Sequence, residues 1–232
     1  MANSCKLLIA NASGALSSQI GKIQEAFDAA IKVSDRRLHI EKVDTIALED
    51  KNNVIAKIGV GGYTPNRHTV YLYLDSEYNV SKDEIYNTIC HELHHAKRYE
   101  GPGFGTTLFD SLVFEGMACC YEEEILIGES YVLKTIKEFD ATNELIEKNK
   151  QYFLNKQFNY HEWFIAGNAN LPKWAGYIMG YKIVKSYLKK VNKKASELVL
   201  EDPSQIYEHF LVSDKGRASS NTSDKDAPAR ND

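Results

Sequence analysis

Residues 81–103 constrain the fold more than any other stretch, because they specify one helix with both ends marked. Ser81 is a good N-cap, and Glu84 stands three residues later, which makes a capping box. The helix is predicted over about 82–99. It ends at Gly101-Pro102-Gly103, because proline cannot continue a helix and glycine accepts unusual backbone angles.

This helix carries the segment His91-Glu92-Leu93-His94-His95, which fits the pattern H-E-x-x-H. Residues four apart on a helix differ by about 40° in direction, so His91 and His95 lie one above the other and can bind one zinc ion. Glu92 is displaced around the helix, so it lies near the metal without binding it. This is the position of a general base that activates a zinc-bound water. His94 is predicted to be exposed or to lie behind the ligands.

A catalytic zinc usually has three protein ligands, so one more is expected from a later element. Glu115 is the leading candidate, because nineteen residues separate it from His95 and leave room for a turn and a returning helix. It lies within an apolar run, where an unpaired carboxylate is costly to bury. Glu122, Asp110 and Glu100 are weaker alternatives.

The remaining pattern alternates between strand-like and helical segments. An amphipathic helix is predicted at 18–33, a loop at 61–66, and further helices near 106–128, 132–150, 174–191 and from Ser204. Strands are predicted at 38–48, 54–60 and 68–74. The expected fold class is α+β, with a small twisted mixed sheet in front and a mostly helical C-terminal half.

We expect one domain over residues 1–213 and a disordered polar tail over 214–232, which has no large apolar residue. The net charge of −4 is not that of a typical nucleic-acid binder, which is strongly basic. The sequence contains no run of eighteen apolar residues, so no membrane span is predicted. The four cysteines form no C-x-x-C, and no secretory signal is recognised. These features predict a cytoplasmic protein without nucleic-acid or membrane partners, and its oligomeric state stays open.

The helix and the following glutamate resemble the gluzincins, the thermolysin-like zinc metallopeptidases. Five segments also resemble a bacterial family of predicted zinc-dependent proteases: IGVGGYT (58–64), HTVYLYLD (68–75), HELHHAKR (91–98), EGMA (115–118) and WAGYIMGYKIVKSYL (174–188). This resemblance spans roughly residues 54–210. It implies a zincin-like fold, with the sheet packed against an active-site helix and a glutamate helix. It also implies one zinc ion on His91, His95 and Glu115, with Glu92 as general base.

One position departs from the gluzincin pattern. Thermolysin-like enzymes often place an acidic residue four positions after the ligand glutamate, where it orients a zinc-bound histidine. Here that position is Cys119, and a thiol is a poor substitute for a carboxylate. Asp110 or Glu122 is expected to take this role instead.

Peptide hydrolysis also requires a donor for the developing oxyanion. Tyr177 is the first choice, and Tyr181 and His161 are the alternatives. The segment that begins at His161-Glu162 starts like the zinc motif but lacks its second histidine. If the strand at 68–75 forms a sheet edge beside the zinc helix, an extended peptide could pair with it, and Gly61-Gly62 would shape the cleft.

The sequence thus predicts a zinc-dependent peptidase that acts on a peptide or protein substrate. Two alternatives remain. One is a non-catalytic zinc-binding or regulatory module, although an intact Glu92 is not needed there. The other is a zinc-dependent hydrolase of a non-peptide amide or ester, which would use the same chemistry.

Overall fold

Four strands form one mixed sheet in the order β1-β2-β4-β3. The computed structural model describes residues 4–223, and side chains as far as residue 214. The strands are β1 (Lys6–Ala10), β2 (Asp44–Glu49), β3 (Val60–Asn66) and β4 (Thr69–Leu74). β1 pairs with β2, and β2 with β4, in parallel, whereas β3 pairs with β4 antiparallel. The sheet is therefore mixed, as predicted, and β3 lies at one edge.

Seven α-helices make up nearly half of the described residues. They are α1 (Ile20–Leu38), α2 (Lys82–Arg98), α3 (Leu108–Ile125), α4 (Tyr131–Lys137), α5 (Thr142–Asn149), α6 (Ala175–Val191) and α7 (Pro203–Ser223). A 3-10 turn at Lys150–Tyr152 and a π-helix at His161–Ala166 lie between α5 and α6. The structure is thus α+β with a largely helical second half, as predicted.

The core lies between one face of the sheet and the helices. On that face β4 buries Val70, Leu72 and Leu74, the alternation expected of a strand covered on one side. Helix α2 packs against β3, β4, α1 and α3, and α3 packs closely along α6. Helix α2 is therefore held between the sheet and the helical half of the molecule. Among the described residues, no helix combines the length and apolar character that a membrane crossing needs.

Two predictions for the sheet are wrong. Residues 61–66 belong to strand β3, although Gly61-Gly62 and Pro65 suggested a loop, and most of the strand predicted at 54–60 is turns. Proline fits here because an edge strand leaves part of its backbone without a ladder partner. Strand β4 is flanked by β2 and β3, so it is not a sheet edge, and the condition for a peptide to pair with residues 68–75 is not met.

Three other boundaries differ from expectation. The segment predicted as one helix at 132–150 divides into α4 and α5, and the Thr142 hydroxyl bonds the Phe139 carbonyl at the break. Strand β1 was not predicted. Helix α7 continues past Asp214, where the disordered tail was predicted to begin, as far as Ser223. The rest of the predicted tail, 224–232, lies outside the described residues.

Candidate metal centre

The two histidines of the H-E-x-x-H segment meet the glutamate of the next helix. His91 and His95 lie one turn apart on α2, and Glu115 projects from α3. One carboxylate oxygen of Glu115, Oε2, lies 3.3 Å from His91 Nε2 and 3.2 Å from His95 Nε2. The structure thus brings together all three side chains that the sequence nominated as ligands.

This group is nearly enclosed by protein. The side chains of His95 and Glu115 are buried, and that of His91 is largely so. Ligand atoms of His91, Glu92 and His95 all lie within 4.8 Å of one another, so a metal ion could contact several of them. Two imidazoles and a carboxylate form a donor set that suits zinc.

Burial and charge act in opposite directions on this group. Burial by itself raises the pKa of Glu115, but the adjacent His95 and His91 outweigh it, and the net shift is downward. Burial by itself lowers the pKa of His91, but hydrogen bonds to Glu115 and Glu122 raise it to about 10. Without a metal, His91 therefore keeps its proton beside the ionised Glu115 carboxylate. A bound cation would replace that proton.

A second carboxylate supports His91 from behind. Glu122 Oε2 lies 3.4 Å from His91 Nδ1, and its side chain is almost fully buried. Glu122 is therefore placed for the orienting role that Cys119, also buried, cannot perform. His95 is supported differently, because its ring stacks on Phe114 with centroids 4.0 Å apart and its Nδ1 has no hydrogen-bond partner among the described residues.

Strand β3 holds the carboxylate of Glu92. The Thr64 hydroxyl donates to Glu92 Oε2 at 2.6 Å, and both side chains are buried. Gly62 lies against the same carboxylate, since a Cβ at this position would stand 2.5 Å from Glu92 Cγ. A side chain there would displace Glu92, so glycine is required by contact. The sequence analysis assigned no role to Thr64, because the pairing depends on β3 lying beside α2.

A tyrosine that the sequence analysis missed completes the contacts of Glu115. Tyr160 donates to Glu115 Oε1 at 2.9 Å, from a turn that leads into the π-helix. Tyr177 of α6 interacts with Tyr160, and its ring centroid lies 6.4 Å from that of His91. Burial, then the charge of Glu115, raises the pKa of both hydroxyls well above the usual range, so each stays a proton donor at neutral pH.

The two alternative oxyanion donors occupy different positions. The Tyr181 hydroxyl hydrogen-bonds Glu123, and the Lys185 ammonium group lies over the Tyr181 ring. Both contacts hold Tyr181 apart from the metal-binding histidines. His161 is exposed and lines the same cleft as Tyr177. Of the three candidates, Tyr177 and His161 thus face the cleft.

The alternative ligands from the sequence have other partners. Asp110 accepts hydrogen bonds from the backbone of Thr106 and Thr107, which caps α3. Glu100 pairs with Lys97 at the end of α2. Of the two positions predicted for His94, exposed or behind the ligands, the exposed one is wrong, because His94 is fully buried and stacks on Tyr121.

A cleft of about 730 Å³ opens onto His91 and Glu92. Its walls come from the start of β3, the turns before it, one face of α2, the π-helix and the start of α6. Gly61 and Gly62 line it, as the sequence suggested, although as part of a strand. The edge strand beside the site is β3 rather than β4.

The family comparison agrees with the resemblance seen in the sequence. A family model described as predicted Zn-dependent protease (DUF2268) matches residues 15–208, which is most of the chain. The chain belongs to this family of predicted zinc-dependent proteases. It has no significant match among curated proteins or solved structures.

Proposed function

We propose that the protein is a zinc-dependent peptidase whose metal is held by His91, His95 and Glu115. The observation that carries this proposal is the convergence of both Nε2 atoms on one carboxylate oxygen within 3.3 Å. Such a buried set of one carboxylate and two imidazoles is well suited to a divalent cation. The family description supports zinc and proteolysis in general terms.

A bound zinc ion would polarise the scissile carbonyl and acidify a water molecule. Glu92 then accepts the proton of the attacking water and later passes it to the leaving amine. Its position supports this role, because the Thr64 hydroxyl holds one oxygen at 2.6 Å and Gly62 packs against the carboxylate. The base is thereby oriented before the substrate arrives.

Tyr177 is the proposed donor to the oxyanion. It lines the cleft, stands close to His91, and keeps its proton because burial and Glu115 raise its pKa. Its hydroxyl hydrogen-bonds Tyr160, and on turning to the substrate this neutral O–H would stabilise negative charge as it develops on the carbonyl oxygen.

Strand β3 is the proposed backbone partner of an extended peptide. It is the edge strand beside α2, and its first residues line the cleft. A peptide that added to this edge would place its backbone along the histidine pair. Sheet, α2 and α3 would then serve together as the core of a zincin-like fold.

The decisive experiment compares wild type with Glu92→Gln after both are loaded with zinc. We expect each to bind about one zinc ion. We expect Glu92→Gln to lose at least about a hundredfold in peptide hydrolysis, because it keeps the ligands and removes the base. Metal content by atomic absorption and cleavage of a peptide library are the two readouts. Glu100→Gln is the matched control and should retain both properties, since Glu100 pairs with Lys97 away from the site.

Other outcomes point to the alternatives. Zinc in both proteins without peptide cleavage would favour a non-catalytic module or a hydrolase of other amides or esters, which a panel of non-peptide substrates separates. Absence of zinc in both, even after loading, would overturn the site as drawn.

A further inference from the structure

The cleft extends from His91 toward the start of α2. Glu84, Asn87 and Thr88 line it together with His91, on one face of the helix. Glu84 stands seven positions before His91, which corresponds to about 10 Å along the helix axis. An extended peptide rises about 3.3 Å per residue, so Glu84 lies about three residues from the bond that would be cut.

This end of the cleft carries unneutralised negative charge. Glu84 lines it and forms no ion pair among the described residues, whereas Glu122 contacts His91. Lys173 also lines the cleft, but its ammonium group lies over the Trp174 ring, 4.9 Å from the centroid. The protein therefore leaves room for a cation from outside.

Asn87 adds an acceptor that the protein does not use. Its side chain is 1% exposed and lines the cleft. Its Nδ2 donates to the Glu129 carbonyl at 3.3 Å, whereas its Oδ1 has no hydrogen-bond partner among the described residues. An unsatisfied buried carbonyl is costly, and a donor on a ligand would remove that cost.

The carboxylate of Glu84 is fixed in place before any ligand binds. The sequence predicts that Glu84 completes the capping box with Ser81, but only half of it forms, because Ser81 accepts from the Glu84 backbone. The Glu84 carboxylate instead accepts from the Tyr131 backbone N–H at 2.9 Å, at the start of α4. One oxygen is thus occupied by the protein, and the other is available.

We propose that Glu84 and Asn87 form a subsite for a positively charged nitrogen of the substrate. This nitrogen belongs either to a lysine or arginine side chain or to a free N-terminal amine. Glu84 supplies the charge, and Asn87 Oδ1 accepts a hydrogen bond. The inference rests on the proposed peptidase function and adds a preference for basic substrates to it.

The test compares zinc-loaded wild type with Glu84→Gln on blocked peptides that carry lysine or norleucine at each position in turn. Gln keeps an acceptor for Tyr131 and removes only the charge. We expect wild type to prefer lysine at one position by about tenfold in kcat/KM, and Glu84→Gln to lose this preference mainly through KM. Glu144→Gln is the control, because Glu144 is exposed and does not line the cleft.

A second arm repeats the comparison with free and acetylated N-termini, which distinguishes an α-amine from a side chain. Binding of the same peptides to zinc-loaded Glu92→Gln, with and without Glu84→Gln, tests the subsite without turnover. Binding that depends on Glu84 supports the subsite even if no peptide is cleaved. Lysine and norleucine peptides that bind and react alike in the presence of Glu84 would overturn it, while cleavage itself would leave the peptidase proposal standing.

Discussion

At the residue scale, Glu115 is held from two sides. Its Oε2 faces both imidazoles, and its Oε1 accepts the hydrogen bond of Tyr160. Tyr160 therefore fixes the rotation of the carboxylate and leaves one oxygen directed toward the histidines. Such outer partners of a metal ligand commonly change metal affinity when they are lost.

We expect Tyr160→Phe to weaken zinc binding by roughly tenfold, because Glu115 loses its fixed orientation. Competition titration against a chelating dye measures this directly. Tyr181→Phe is the control on a tyrosine that contacts Glu123 instead, and its zinc affinity should stay near that of wild type. Equal affinities for Tyr160→Phe and wild type would show that Tyr160 does not position the ligand.

At the scale of elements, the position of the glutamate helix depends on two glycines. Gly116 of α3 and Gly180 of α6 face each other where the two helices cross. A Cβ on Gly116 would lie 2.3 Å from the Gly180 carbonyl oxygen, and one on Gly180 would lie 2.2 Å from that of Leu112. The backbones therefore touch, next to Glu115 in sequence.

Gly180→Ala should lower the free energy of unfolding by about 1–3 kcal/mol or more, because the new methyl group must push the two helices apart. Denaturant titration measures the change. Gly21→Ala is a matched control in the exposed part of α1, where an added Cβ meets nothing within 4 Å. It should instead raise stability by about 0.5–1 kcal/mol through helix propensity. Similar effects of both variants would argue against the contact.

At the scale of the whole molecule, the interior behind the site holds a histidine in its neutral form. His94 is fully buried, and neither ring nitrogen has a hydrogen-bond partner among the described residues. Burial, followed by the nearby His95 and Arg98, lowers the pKa of His94 well below its usual range. The unfolded chain binds a proton at this residue near pH 6.5, whereas the folded chain does not.

Stability should therefore fall as the pH drops below about 6.5, by up to about 1.4 kcal/mol per pH unit from this residue. His94→Phe removes the titrating group and retains a ring against Tyr121. Urea unfolding of metal-free wild type and variant at pH 7 and pH 5.5 measures how the free energy of unfolding changes with pH in each. The other titrating groups are common to both proteins, so the contrast between the two reports on His94. Parallel stability curves would contradict the prediction.

Several features of the protein were determined by the sequence alone. The period of helix α2 fixes His91 and His95 on one face and displaces Glu92, because helix geometry is local. The separation of nineteen residues suffices for Glu115 to return on α3. These local rules also gave the fold class and most helices.

Other features were decided by the tertiary structure, because they join residues that no short-range rule connects. Thr64 reaches Glu92 only since β3 forms the sheet edge beside α2, although its glycines and proline suggested a loop. Tyr160 reaches Glu115 from the residue before the π-helix, a segment that has no clear periodic pattern in sequence. The Glu84 carboxylate likewise does not complete the capping box and instead accepts a hydrogen bond from a backbone N–H forty-seven residues away. Local periodicity therefore placed the metal ligands, and long-range packing supplied the groups that orient them.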